Sequence, residues 1–211
     1  MTATRPEILR TEGVRSLEVR WIFPGRLAAE VTGWFGRFPA EVRVVDDEYL
    51  LDPYLPGLSV KVREGRALEV KMHCGSPGLL DVAGRAWGRL EWWEKWSFPH
   101  GPPRYDSGSR ASWRPVNKKR CITWFSRAAG LRVPGLRQLP GCAVELTEVR
   151  VRGEPWWTLG FEATGATDAL RSELEAAAAA VFDQAVPGGV KVGLGGCQSY
   201  AQWLRLGPSR G

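Results

Sequence analysis

Thirteen charged side chains recur at alternate positions of short runs: Glu18 and Arg20 in SLEVR, Arg43 in EVR, Lys61 and Arg63 in SVKVR, Glu69 and Lys71 in LEVK, Glu91 and Lys95 in LEWWEK, Lys118 and Arg120 in NKKR, Glu145 in VELT and Glu162 in GFEAT. Eight are basic and five acidic. Arginine offers a planar fork to phosphate oxygens, lysine a point charge, and carboxylates among them can hold a divalent ion that bridges the same oxygens. On an open sheet the same pattern is a solvated charged face, and alternation alone does not say which side meets water. In a closed sheet these groups converge on one lumen, where each uncompensated ion costs several kcal/mol. Acids, water or a bound polyanion would then have to compensate them, and a triphosphate fits that requirement.

The elements that position these residues read as strands in most places. Ser16 to Phe23 puts Leu17, Val19, Trp21 and Phe23 on one face, and Ser16, Glu18, Arg20 and Ile22 on the other. From Pro24 to Phe38 the spacing of Leu27, Val31, Trp34, Phe35 and Phe38 predicts an amphipathic helix, stopped by Pro39. Glu41 to Val45 reads as a short strand, with Asp46, Asp47 and Glu48 after it as a solvated turn rather than a metal cluster. LSVKVR and LEVKMH, joined by Glu-Gly-Arg, form a hairpin of period two. Ser76 to Gly88 is expected to open as a helix, against the weight of its glycines. Arg89 to Phe98 and Val116 to Phe125 read as strands, and Cys142 to Arg152 pairs with Trp156 to Thr164 around Arg-Gly-Glu-Pro. Asp168 is placed to cap a helix from Ala169 to about Ala185, and Ser199 to Leu204 reads as a short closing helix.

Composition bounds the class. The 211 residues, 44% of them apolar with eleven Trp, 25 Gly and 15 Pro, suit one α+β or all-β domain rich in turns. No apolar run approaches the roughly 20 residues that span a bilayer, and no signal-like segment opens the chain, so a cytoplasmic protein with no membrane partner is expected. The net charge of +6 favours anionic partners and leaves nucleic acid, nucleotide and polyphosphate open. Cys74, Cys121, Cys142 and Cys197 lack metal-ligand spacing and read as buried free thiols. Trp92, Trp96 and the other tryptophans read as core before base-stacking platforms, and His73 and His100 as structural or surface residues.

In their order along the chain, these motifs resemble the CYTH superfamily, the triphosphate tunnel metalloenzymes. SLEVR stands at the family's ExExK strand, with Ser16 at the first acidic position and Arg20 at the lysine; EVRVVDDEYLLDP, SVKVREGRALEVK, VNKKR, GFEATG and SYAQWL follow in family order. The resemblance covers residues 16–204 of a single domain spanning 1–211. It implies an α+β fold: an antiparallel β-barrel, or tunnel, of about eight strands with helices packed outside. It also implies phosphate contacts from Arg20, Arg43, Lys61, Arg63, Lys71, Lys95, Lys118 and Arg120, and Mg²⁺ or Mn²⁺ ligands at Glu18 and Glu162, with Glu69 and Glu145 as further candidates. The implied ligand is tripolyphosphate or a nucleoside or thiamine triphosphate, and the implied activity a metal-dependent triphosphatase. Ser16 and Thr164 stand where the family pattern has carboxylates, so a non-catalytic polyphosphate-, nucleotide- or RNA-binding domain is the alternative.

Overall fold

The run VRSLEVRWIFP forms strand β1 (Val14–Pro24), which buries Leu17, Val19 and Trp21 on one side and turns Ser16, Glu18 and Arg20 to the other. That two-sided pattern repeats through the computed structural model, which describes residues 13–99, 112–128, 130–132 and 140–207. After β1 come α1 (Ala29–Phe35), β2 (Glu41–Leu51), β3 (Leu58–Arg63), β4 (Ala67–His73), β5 (Gly78–Val82), β6 (Ala86–Phe98) and β7 (Ser112–Ser126). Then follow β8 (Gly130–Arg132), β9 (Gly141–Val151), β10 (Glu154–Thr164), α2 (Leu170–Val181) and α3 (Tyr200–Leu206). Antiparallel pairing runs β1-β10-β9-β7-β2-β3-β4-β6 and returns from β6 to β1 through Val14↔Lys95 to Glu18↔Glu91, which closes the sheet into a barrel. Closure pairs each of those eight strands on both sides over part of its length and sends their alternate side chains either to the lumen or to the outside. β5 and β8 lie off this ring, paired to β6 and β7.

The main core lies outside the barrel. Leu17, Val19 and Trp21 of β1, Val144 and Leu146 of β9, and Leu159, Phe161 and Ala163 of β10 pack beneath Val31, Trp34 and Phe35 of α1 and Leu170, Leu174, Ala177 and Val181 of α2. Trp21 sits edge-on to Phe161 and Phe182 at centroid distances of 6.1 and 5.9 Å. Each such fully buried aliphatic or aromatic side chain contributes about 1.5–3 kcal/mol. Gly88 makes room for this packing, because a Cβ there would stand 2.6 Å from the Trp21 ring.

A second apolar group closes one end of the lumen. Trp203 and Leu204 of α3 pack with Ile22, Val116, Val149 and Val151, the inward residues at that end of their strands. Ser199 and Gln202 cap α3 reciprocally, and Arg205 Nη1 donates to the Pro56 carbonyl at 2.7 Å, pinning the helix across the β2–β3 turn.

Several local expectations are corrected. Ser76 to Gly88 does not start a helix: Gly78 and Gly84 take positive φ (116° and 72°), and LLDV between them pairs with β6 as β5. The first helix is confined to Ala29–Phe35, and α2 starts at an Ala169 cap with no side-chain bond from Asp168. Asp46, Asp47 and Glu48 are not a turn but the middle of β2, which runs on to Leu51. Cys142 is buried, whereas Cys74 is exposed; all four thiols are free. His100 lies outside the described residues, and no helix among those described is long and apolar enough to cross a membrane.

Candidate functional site

The lumen holds a cavity of about 330 Å³, at the small end of the range for ligand sites. Of the residues singled out from sequence, Glu18, Arg20, Lys61, Arg63, Glu69, Lys71, Lys95, Lys118, Arg120, Glu145 and Glu162 all line it. Arg43 does not. It lies beside Arg120 in register, but β3 ends opposite Asp47, so among the described residues the first half of β2 has no strand partner on that side, and Arg43 turns to Glu41.

Three ion clusters occupy the wall. In the first, the carboxylate of Asp47, fully buried, accepts from Lys118 Nζ at 2.7 Å, Arg63 Nε at 3.2 Å and Lys61 Nζ at 3.3 Å. Glu69 takes Arg63 Nη1 at 2.9 Å and Lys61 Nζ at 3.1 Å. Lys118 Nζ also donates to the Tyr49 hydroxyl at 2.7 Å and lies 4.2 Å from the centre of the Tyr200 ring. Burial opposes the charge on Asp47, but Lys61, Lys118 and Arg63 together hold it well below the ordinary carboxylate range. Burial also acts on Lys118, and with Lys61 it outweighs the Asp47 contact, so the amine is pulled down to about 7.

In the second cluster, Glu145 is shared by two arginines: Arg20 Nη1 at 2.8 Å, and Arg120 through Nε at 2.9 Å with Nη2 also in contact. Burial notwithstanding, Arg120 and Arg20 hold the Glu145 carboxyl well below its usual value. Arg20 reaches this position because its cross-strand partner is Gly160; a Cβ at Gly160 would stand 2.7 Å from the guanidinium carbon. Thr158, which accepts from Arg20 at 3.1 Å, and Tyr200 complete the cluster.

In the third cluster the ratio is inverted. Lys71 Nζ stands between two carboxylates, 2.6 Å from Glu18 Oε1 and 3.3 Å from Glu162 Oε1, and Ser16 Oγ donates to Glu18 at 2.6 Å. Glu162 is opposed by burial, yet Lys71 and Lys95 bring its pKa down to about 2, while Glu162 and Glu18 keep Lys71 on the protonated side despite its burial. Register explains the row: Glu18 is the cross-strand partner of Glu162 on one side and of Glu91 on the other. Glu91 accepts from Trp93 Nε1 at 3.1 Å, and burial raises its pKa. Lys95 forms no ion pair of its own among the described residues and acts through space on Glu69 and Glu162.

Among the described residues no group of three or more Asp, Glu, His or Cys is arranged around a common point. The slot between Glu18 and Glu162 is spanned by the Lys71 ammonium, and the next inward pair along the same two strands is Ser16 opposite Thr164. As arranged, these side chains do not fit a divalent ion.

Sequence reasoning missed Asp47, Tyr49 and Tyr200. The signal for the first two was parity, since Asp47 and Tyr49 share the face of Val45 and Arg43 once the strand is continued past Val45. No short-range signal marks Tyr200, which reaches the cavity only because α3 folds back over the barrel end.

No family model matches the chain, and no curated protein does. Solved structures that resemble it include a conserved hypothetical protein of Pyrococcus furiosus, 15% identical, with a TM-score of 0.40 over 78% of this chain and 90% of that one. A putative adenylyl cyclase of Hippeastrum, described as having a dominant triphosphatase activity, is 9% identical, with a TM-score of 0.42 over 83% and 92%. The PH1819 protein of Pyrococcus horikoshii is 13% identical, with a TM-score of 0.39 over 79% and 89%. Likeness at this level bears on neither ligand nor chemistry.

Proposed function

We propose that the barrel cavity binds a triphosphate-class anion: tripolyphosphate, or the triphosphate end of a nucleotide or of thiamine triphosphate. The observation that carries this reading is the surplus of cations around the first two clusters. There Lys61, Arg63 and Lys118 face Asp47 and Glu69, and Arg20 and Arg120 share Glu145, five cations to three carboxylates. Shared carboxylates leave guanidinium and ammonium donors unspent, and a phosphate chain can take them up bidentately. The sequence resemblance to the triphosphate tunnel family supports the same residues in the same role.

Calorimetric titration with tripolyphosphate tests the reading. A Lys61→Ala/Arg120→Ala double variant is expected to lose about 100-fold or more in affinity, since each charge-assisted hydrogen bond is worth about 1.5–3 kcal/mol. An unchanged affinity in that variant would place binding elsewhere. RNA that tripolyphosphate fails to displace would likewise place charge-driven binding on the outer surface.

Hydrolysis is a second reading, favoured by the Glu162–Glu18–Glu91 row on three adjacent strands of the same lumen. Phosphate release from tripolyphosphate, ATP or thiamine triphosphate with Mg²⁺ or Mn²⁺, above that of a Glu162→Gln control, would carry it. No release above the control leaves a binding module.

A further inference from the structure

The Glu18–Glu162 pair poses a physical problem that the cation-rich clusters do not. Two carboxylates on adjacent strands, in direct register and facing one lumen, repel each other unless a cation stands between them. In this barrel the cation is covalently part of the chain. Lys71 extends from β4, whose neighbour β6 separates it from β1, and places its Nζ 2.6 Å from Glu18 and 3.3 Å from Glu162. The other lumen carboxylates are committed as well. Asp47 and Glu69 are held by Lys61 and Arg63, Glu145 by two arginines, and Glu91 by the Trp93 indole. Ser16 and Thr164, cross-strand partners on the inward face beside Glu18 and Glu162, supply neutral oxygens in place of further negative charge. A divalent ion at Glu18 and Glu162 would therefore have to expel a buried ammonium, and although Glu91 is the other cross-strand partner of Glu18, no third carboxylate among the described residues is arranged with these two around a common point, whereas hard cations bind through several oxygen ligands.

We propose that Lys71 is the resident cation of this cavity, filling the slot between Glu18 and Glu162, so that the phosphate ligand is bound without a divalent metal. This rests on the triphosphate-binding reading for its ligand, but the state of the slot can be measured without any ligand. Lys71 acts here as a positioning residue: it neutralises the acidic row, which otherwise would repel an anion seated against the cation-rich clusters.

Two measurements on the full chain test the proposal. The first is Mn²⁺ titration of the ligand-free protein, followed by electron paramagnetic resonance of the free aqueous ion. The wild type is expected to bind no stoichiometric Mn²⁺, as is Lys71→Arg, which keeps a cation in the slot; Lys71→Met, which frees both carboxylates, is expected to gain a site that is lost again in Lys71→Met/Glu162→Gln. Stoichiometric Mn²⁺ binding by the wild type, abolished by Glu162→Gln, would overturn the proposal. Should Lys71→Met fail to fold, the wild-type and Lys71→Arg titrations alone decide it. The second is calorimetry with tripolyphosphate in EDTA and in excess Mg²⁺, with the affinities corrected for the Mg²⁺–tripolyphosphate equilibrium. Affinities within about threefold of each other are expected. Tightening by about tenfold or more with Mg²⁺ would overturn the metal-free claim while leaving triphosphate binding intact. Failure to bind tripolyphosphate in either condition would instead overturn the ligand reading, with the Mn²⁺ titration still deciding what fills the slot.

Discussion

The Asp47 and Lys71 clusters are built on opposite ratios. One carboxylate gathers three cations across β2, β3 and β7, whereas one ammonium from β4 holds two carboxylates of β1 and β10. The difference polarises the cavity: one part of the lumen carries spare hydrogen-bond donors, and another carries acids neutralised from within. The two clusters also differ in exposure. The Asp47 side chain is 0% exposed, against 15% and 25% for Glu18 and Glu162. Water can therefore relieve a lost partner in the Lys71 cluster and cannot do so around Asp47.

That contrast predicts its own largest effect. Asp47→Asn leaves buried Lys118 without a carboxylate and Lys61 and Arg63 with Glu69 alone, and is expected to destabilise the fold by about 3–5 kcal/mol in urea denaturation. Lys71→Met should lose less. Excess tripolyphosphate should raise the urea midpoint of Asp47→Asn by more than that of the wild type, because the anion then replaces the missing carboxylate. Equal losses in the two variants would erase the distinction between the clusters.

The next effect is on pH dependence. The Lys118 pKa is depressed from 10.5 to about 7 in the folded state, so between those values the unfolded chain binds more protons and stability rises with pH. Below about 7 the penalty of keeping the amine charged in a buried site is fully present. Anion affinity should move the opposite way, falling as pH rises through about 7 and Lys118 loses its proton. After correction for the titration of the anion itself, whose terminal phosphates have a second pKa of about 6, calorimetry across that range should show the fall in the wild type and not in Lys118→Met. The Lys71 cluster works in a different window. With Glu162 lowered from 4.5 to about 2, its stabilisation is complete above about 4.5 and is lost as pH falls toward 2. Acid unfolding of Glu162→Gln should be correspondingly shallower than that of the wild type over that window.

The smallest effect is expected one residue away from Lys118. Lys119 points outward, pairs with Glu148 at 3.1 Å and is more than half exposed, so water screens the pair. Lys119→Ala should change neither the urea midpoint nor the tripolyphosphate affinity measurably. A loss as large as that of Lys118→Met would mean that the strand faces are assigned the wrong way round.

The barrel was legible in the sequence wherever alternation was clean. In β1, β3, β4, β7, β9 and β10 the charged residues picked out by period two are the ones that line the lumen. The reading failed where composition hid the period. In EVRVVDDEYLL, Val42 and Val44 face outward and are exposed while Asp47 faces inward and is buried, so polarity no longer reports the side. The run of three acids then resembles a turn, and the most buried carboxylate of the ion clusters was missed. Ser76 to Gly88 failed for another reason: the glycine φ values that set up β5 follow from its pairing to β6, which no short window contains. The ratios of acids to bases within each cluster were likewise hidden, because they depend on which strands become neighbours on closure. The eight bases suggested a strongly basic lumen; register shows that most of them already share carboxylates, leaving a local surplus rather than a uniformly positive wall.

A crystal structure of the protein grown with tripolyphosphate tests the central claim most directly. The account predicts the anion inside the barrel, within hydrogen-bonding distance of Lys61, Arg63 and Arg120, with Lys71 still between Glu18 and Glu162. A cavity filled only by water at saturating tripolyphosphate, or the anion bound to the outer surface, would contradict it.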